Sequence, residues 1–163
     1  MGLQLKIRSV AMKAPLKILA AALCGLLLGL PAAQADEDDF WPITDVYVQF
    51  GGEHGQLMVS PSELTLQAGE LYLIVLINPS ELTHVVAAPE LAGNGLTTEL
   101  LQGFEDVDYP AASITAGISL APGQTIEWTF MPLEEGTFKL GCEDTLHAAA
   151  GMHAMIKVVY EMI

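Results

Sequence analysis

Basic residues are scarce in this sequence, and so are charged residues as a whole. Lysine and arginine number 6 against 20 aspartates and glutamates, which leaves a formal net charge of −14. Such an acidic chain is excluded as a binder of nucleic acid or of anionic lipid, since both carry negative charge. It favours soluble partners with basic surfaces. Because only 16% of the residues are charged and 52% are apolar, the composition also excludes an intrinsically disordered protein.

The N-terminus lacks an apolar run long enough to cross a membrane. Residues 6–17 carry four basic side chains, and an uncharged apolar run of 13 residues follows at 18–30. This run is too short for a hydrocarbon core of about 30 Å. The triplet Ala33-Gln34-Ala35 comes next, followed by four acidic residues at 36–39. This order predicts a signal peptide at residues 1–35 and an exported or periplasmic mature domain at residues 36–163.

Three alternatives for the N-terminus stay open. The first is an uncleaved membrane anchor, which the shortness of the apolar run disfavours. The second is a lipid anchor at Cys24, which Leu23 disfavours because a small residue is expected before a lipidated cysteine. The third concerns the start of the chain, since Met12 is an alternative to Met1.

Cysteine is the second scarce residue. The predicted mature chain keeps all 20 acidic residues, but its only bases are Lys139 and Lys157 and its only cysteine is Cys142. A lone cysteine cannot form an internal disulfide, and an exported compartment is oxidising. A free thiol there requires a metal, a partner thiol or deep burial.

The mature chain is predicted to consist of strands. Apolar and polar residues alternate in several short segments, as on strands with one buried face. The apolar sets are Val46, Val48 and Phe50; Leu64 and Leu66; Ile126, Trp128 and Phe130; Phe138, Leu140 and Cys142; and Ile156, Val158 and Tyr160. The run Leu71–Ile77 is apolar throughout, so we expect it in the centre of a sheet, covered on both sides. Turn signals such as Asn78-Pro79-Ser80 separate the segments, and the spacing predicts an all-β antiparallel sandwich or barrel.

Residues 89–110 break this rhythm. The pair Glu90-Leu91 and residues 98–104 are compatible with short helical turns. We therefore expect a long acidic excursion between two strands, with a short helix in it.

The C-terminal part of the chain contains a group of candidate metal ligands. Cys142, His147 and Met152 follow one another with four residues between each pair. A thiolate, an imidazole and a thioether are donors that both Cu(I) and Cu(II) accept. A further strong ligand must come from elsewhere, and His84 is the leading candidate because it follows the buried strand and its turn. Strand parity places Cys142 and Met152 on the inward face.

In these features the chain resembles the cupredoxins, the type 1 blue copper proteins. The resemblance covers residues 71–160 and rests on His84, on residues 132–142, and on the loop with Cys142, His147 and Met152. The spacing of this loop is similar to that of the family members rusticyanin and auracyanin. The resemblance implies a Greek-key β-sandwich with one type 1 copper per chain. It implies that His84, Cys142 and His147 are copper ligands and that Met152 is the weak axial donor.

The same resemblance implies an electron carrier rather than an enzyme. Its copper cycles between Cu(II) and Cu(I) with little movement of the ligands and without a substrate pocket. The expected partner is a redox protein, such as a basic cytochrome, steered by the acidic charge in a salt-sensitive way. We expect a monomer without stable membrane insertion after processing. Many cupredoxins place Asn or Ser after the first histidine to steady the cysteine sulfur, but here Val85 occupies that place.

Alternatives remain for the function and for single residues. A copper-buffering or copper-delivery protein would use the same four ligands, and a copper or zinc enzyme would leave one coordination position open. His153 competes as a ligand, although its parity matches an exposed position, and Glu90 would suit a copper site of unusual type. Residues 148–151 form either a contact surface for a partner or plain helical filler. The acidic charge either steers a partner or suits a saline or acidic habitat.

Overall fold

The computed structural model of the protein describes residues 41–103 and 107–160. The predicted signal peptide at residues 1–35 and the acidic stretch at 36–39 lie outside the described residues. The strands in the described residues are β1 (Ile43–Phe50), β2 (Val59–Ser60), β3 (Glu63–Gln67), β4 (Leu71–Ile77), β5 (His84–Ala87), β6 (Gly95–Gln102), β7 (Val107–Asp108), β8 (Ile118–Leu120), β9 (Thr125–Pro132), β10 (Gly136–Cys142) and β11 (His153–Val159).

Short helices connect some of these strands. They are a 3₁₀ helix (Glu53–Gly55) and the α-helices α1 (Pro89–Gly93), α2 (Ser113–Ala116) and α3 (Thr145–Ala149). Across the two described ranges, no helix has the length and apolarity that crossing a bilayer demands.

Two sheets form a β-sandwich, as predicted. The strand order is β2-β1-β4-β9-β6-β7 in the first sheet and β3-β11-β10-β5-β8 in the second. The expectation of purely antiparallel pairing is wrong at two places, since β1 pairs parallel with β4 and β3 pairs parallel with β11. Between β1 and β4 the chain passes through β3 of the other sheet. Parallel neighbours require such a crossover, whereas a hairpin would have made them antiparallel.

Side chains from the inner faces of both sheets form the core. Those that are at most 1% exposed include Val48, Phe50, Ile74, Leu76, Ile126, Trp128 and Phe130 from the first sheet and Leu66, Val86, Leu120, Leu140, Ile156 and Val158 from the second. The predicted alternation is confirmed on β1, β3, β9, β10 and β11, whose core residues in this list belong to the alternating sets. It is wrong for Tyr160, which is 54% exposed because β11 ends at Val159. The Tyr160 hydroxyl instead donates to the Leu133 carbonyl at 3.1 Å.

Strand β4 is central, as predicted, but only partly covered on its outer face. It lies between β1 and β9, and its inner residues Tyr72, Ile74 and Leu76 are buried. On the outer face Val75 is buried as well, whereas Leu71, Leu73 and Ile77 stay half-buried.

Residues 89–110 contain the expected short helix, α1, and then a full strand. The predicted helical turn at 98–104 is wrong in its described part, because β6 pairs antiparallel with β9, with an irregularity between Thr97 and Glu99. This pairing buries Leu100 and lets the indole N–H of Trp128 donate to Thr97 Oγ1 at 3.0 Å. Long-range pairing therefore decides the conformation of this segment.

The fold brings two loops to the same end of the second sheet. The loop after β4 leads through Asn78-Pro79-Ser80 to the start of β5 at His84. The loop with α3 begins where the neighbouring strand β10 ends, at Cys142. Because β5 and β10 pair antiparallel, the start of one strand lies beside the end of the other.

Candidate metal centre

Two of the predicted ligands come from neighbouring strands. Cys142 is opposite Val86 in the β10–β5 ladder, and His84 lies two residues before Val86. Side chains two residues apart on a strand share a face, so the thiol and the imidazole point to the same side. That side is the interior, since His84 is 0% and Cys142 1% exposed.

The third predicted ligand, His147, is held by the short helix α3. Asp144 caps this helix, and its Oδ1 accepts the backbone N–H groups of Leu146 at 3.0 Å and of His147 at 3.2 Å. Hydrogen bonding from the His147 N–H is the main cause that lowers the pKa of Asp144. The carboxylate therefore stays ionised as a cap, and the helix turns the chain back so that the imidazole of His147 faces Cys142.

The donor atoms of His84, Cys142 and His147 all lie within 4.8 Å of one another. His147 Nδ1 is 3.2 Å from His84 Nδ1 and 3.5 Å from Cys142 Sγ. Metal–nitrogen bonds of about 2.0 Å and a metal–sulfur bond of about 2.3 Å, at tetrahedral to trigonal angles, put donor atoms about 3.3 to 3.8 Å apart. The two separations from His147 Nδ1 are close to this range and the third lies within 4.8 Å, so the three residues fit a single metal ion. A thiolate with two imidazoles is a donor set that suits copper.

Burial prepares the imidazole of His84 for metal binding. Burial lowers the pKa of His84, and the neighbouring His147 lowers it further. The neutral ring is therefore favoured, and only a neutral imidazole offers a lone pair to a metal.

Met152 ends the loop and is fully buried, whereas His153 is exposed, as parity predicted. The backbone of Met152 closes the loop, because its carbonyl accepts from Cys142 N at 3.0 Å and its N–H donates to the His147 carbonyl at 3.1 Å. Its role as axial donor stays a prediction. The alternative ligands His153 and Glu90 are not part of the group of donors found in the described residues.

Val85 contributes to the site through its backbone. Its carbonyl accepts the N–H of Glu143 at 2.7 Å, directly after Cys142. This hydrogen bond connects the start of the ligand loop to β5. The valine side chain itself has no donor that could bind the sulfur of Cys142.

Three further residues at the site were missed from the sequence. Ser80 Oγ lies 3.0 Å from His84 Nε2, and Asn78 Oδ1 lies 2.7 Å from Ser80 Oγ. Gly51 packs against the same ring from β1's end, where a Cβ would come within 2.9 Å of His84 Nε2. The sequence identifies Asn78-Pro79-Ser80 only as a turn. Its position four to six residues before His84 is the one signal in the sequence that these side chains lie near the site.

A family model now identifies this arrangement. Residues 46–159 match the model of the copper binding proteins of the plastocyanin/azurin family. The chain belongs to this family. The resemblance to cupredoxins is thereby confirmed, and so is copper as the cofactor of the single site that His84, Cys142 and His147 form. No curated protein sequence matches this cupredoxin significantly.

Solved structures share the fold at low sequence identity. Dithionite-reduced auracyanin from Roseiflexus castenholzii is 19% identical, with a TM-score of 0.50 over 71% of this chain and 97% of that one. The copper-containing nitrite reductase from Thermus scotoductus is 12% identical, with a TM-score of 0.54 over 72% of this chain and 31% of the enzyme. The copper nitrite reductase from Nitrosomonas europaea is 13% identical, with a TM-score of 0.51 over 71% of this chain and 48% of the enzyme. The cupredoxin thus spans half or less of either reductase.

Proposed function

We propose that this cupredoxin is an exported electron carrier with one type 1 copper, and not an enzyme. The observation that carries the proposal is the difference in exposure among the donors. His84 and Cys142 are buried, whereas the side chain of His147 is 15% exposed. One imidazole edge at the surface lets an electron pass without admitting a substrate. A catalytic metal needs an open coordination position instead.

The chain holds its donors through the backbone, which suits electron transfer. Strand β5 begins and strand β10 ends at the site, and Cys142, Glu143 and Met152 are fixed by N–H···O bonds of 2.7 to 3.1 Å. When bound, copper supplies the one-electron couple between Cu(II) and Cu(I). Donors that are already fixed move little between the two states, so little reorganisation opposes the transfer.

The surface around His147 supports a basic redox protein as partner. Leu146 is 77% exposed and the alanines at 148–150 are exposed, so exposed apolar side chains flank His147 along the chain. Glu143 and Asp144, each with 48% side-chain exposure, add negative charge beside this patch. Apolar contact allows close approach, and the acidic groups steer a basic partner. We propose that the protein acts as an exported monomer, consistent with the leader-like pattern at residues 1–35.

Spectroscopy and electrochemistry of the copper-loaded protein test the carrier function. We expect an intense visible thiolate-to-copper band that disappears in Cys142→Ser, together with a reversible one-electron wave. Release of Cu(I) to a competing acceptor on each reduction would indicate copper delivery instead. Turnover of a substrate at the copper would indicate an enzyme.

Salt dependence tests the partner. We expect the rate of electron exchange with a basic cytochrome to fall with ionic strength, since screening weakens steering. Glu143→Gln should reduce both the rate and its salt dependence, whereas Glu135→Gln, at the opposite end of β10, should change them less. A rate that is independent of salt, or equal effects of the two substitutions, would contradict steering at this face.

A further inference from the structure

The buried polar residues next to His84 form one hydrogen-bonded chain. In the part of the protein that the structure describes, the buried polar residues are Asn78, Ser80 and His84, at 0%, 5% and 0% exposure. Ser80 lies between the other two, with Oγ 2.7 Å from Asn78 Oδ1 and 3.0 Å from His84 Nε2. Buried polar groups are costly unless they are paired. That Ser80 links Asn78 to a residue with a metal-donor atom points to a shared role.

Two backbone carbonyls determine the orientation of the Asn78 amide. Its Nδ2 lies 2.7 Å from the Leu82 carbonyl and 2.9 Å from the Leu120 carbonyl. A carbonyl can only accept, so the donor nitrogen must face these two groups. The amide oxygen then faces Ser80 and accepts from its backbone N–H at 3.0 Å and from its hydroxyl at 2.7 Å.

The single hydrogen of the Ser80 hydroxyl is therefore assigned. Asn78 Oδ1 takes it at 2.7 Å, and the other acceptor in reach, the Leu82 carbonyl, is farther away at 3.3 Å. A hydroxyl that donates its one hydrogen has only lone pairs left for further neighbours. Toward His84, Ser80 Oγ thus acts as an acceptor, and Nε2 of the neutral ring must carry the proton. Nδ1 is left with its lone pair, 3.2 Å from His147 Nδ1.

We propose that Asn78 and Ser80 are positioning residues, which fix the tautomer and the ring orientation of His84 so that Nδ1 faces the copper site. The inference rests on His84 acting as a ligand, as in the proposed function. Outer partners of ligating histidines have this effect in metal sites generally, and their loss typically lowers metal affinity about 10- to 100-fold. Here the carbonyls of Leu82 and Leu120 determine which group donates and which accepts in each hydrogen bond from Asn78 to His84.

The tautomer can be measured in the copper-free wild-type protein by nitrogen-15 NMR of the histidine rings. We expect His84 to carry its proton on Nε2. A proton on Nδ1 would overturn the proposal without any substitution, so the result does not depend on whether a variant folds.

Substitution of Ser80 then tests its effect on copper. We expect Ser80→Ala to lower the Cu(I) affinity about 10- to 100-fold in competition with a chromophoric chelator, and to shift the His84 tautomer toward a mixture. Ser80→Thr keeps the hydroxyl and should retain both properties. Ser119→Ala is the matched control, since Ser119 is exposed on β8 opposite Val85 in the same sheet. Unchanged affinity and tautomer in a folded Ser80→Ala variant would overturn the proposal.

The outcome is separable from that of the proposed function. If the wild type shows the visible band and the reversible wave while Ser80→Ala matches it in affinity and tautomer, only the positioning role fails. If the tautomer and affinity results hold but the wild type shows no reversible wave, only the carrier function fails.

Discussion

The backbone at Gly51 lies so close to the ring of His84 that one added methyl group tests the packing of the site. A Cβ at Gly51 would lie 2.6 Å from Ser80 Cβ and 2.9 Å from His84 Nε2. Gly69, in the turn between β3 and β4, has nearly the same backbone angle, with φ of +86° against +83°, and nothing within 4 Å of such an atom. Gly69→Ala is therefore a matched control for Gly51→Ala.

The expected loss of stability follows from these distances. Alanine in the left-handed region costs about 1 to 2 kcal/mol relative to its usual conformation, and this applies to both variants. Carbon atoms in contact are normally about 3.5 to 4.0 Å apart, so Gly51→Ala also forces Ser80 to move by about 1 Å. Overpacking of this kind costs about 1 to 3 kcal/mol. We expect the free energy of unfolding to fall by about 2 to 5 kcal/mol in Gly51→Ala and by about 1 to 2 kcal/mol in Gly69→Ala.

Urea unfolding of the copper-free variants measures these losses, and competition with a Cu(I) chelator measures the affinity. Because Gly51→Ala displaces Ser80 and His84, we expect its copper affinity to fall about 10-fold or more. Gly69→Ala should bind copper like the wild type. Equal losses of stability in the two variants, together with unchanged copper affinity, would refute the close packing of Gly51 on the histidine.

Three further predictions concern the cap of α3, a buried phenol and the end of the ligand loop. Asp144→Ala removes the helix cap and should lower the free energy of unfolding, whereas Asp144→Asn keeps a capping oxygen and should lower it less in the same urea titration. Burial is the main cause that raises the pKa of Tyr72, so the fold favours the neutral phenol and its stabilisation is lost as pH rises above about 10. Tyr72→Phe should lower the free energy of unfolding by about 1 kcal/mol at neutral pH, since the Gln67 N–H loses its acceptor at 2.8 Å. In thermal scans the variant should lose less stability above about pH 10 than the wild type. An equal loss in both proteins would show that the Tyr72 phenol is not its cause. Met152→Leu should alter the colour and the reduction potential of the copper-loaded protein without unfolding it, and the same change at His153 should leave both as they are.

Local alternation predicted β1, β3, β9, β10 and β11, because each buried face repeats every second residue along the chain. It could not predict β6, since Gly95–Gln102 takes its conformation from pairing with β9 far along the sequence. Nor could it predict the parallel pairing of β1 with β4, which depends on the chain crossing to the other sheet in between.

The candidate ligands were recognisable from donor chemistry and spacing, and the structure brings His84, Cys142 and His147 together. The surroundings of His84 were not recognisable in the same way. Asn78 and Ser80 belong to a turn motif that is usually exposed, but both are buried here. Gly51, which follows β1, lies against Ser80, and the Asn78 amide is paired with the carbonyls of Leu82 and Leu120. A buried polar residue is identified by its neighbours, and those come from the tertiary structure.

The ladder between β5 and β10 has a consequence for the whole second sheet. It contains only two register pairs, whereas β10 and β11 share six. The sheet therefore consists of two blocks, β3-β11-β10 and β5-β8, joined by a narrow seam. His84 belongs to one block, and Cys142 and His147 lie on the other side of the seam. An ion shared by these donors therefore links the two blocks across the ladder with the fewest register pairs in this sheet. Without the ion, the amides of β5 and β8 should exchange their hydrogens before those of β3, β11 and β10.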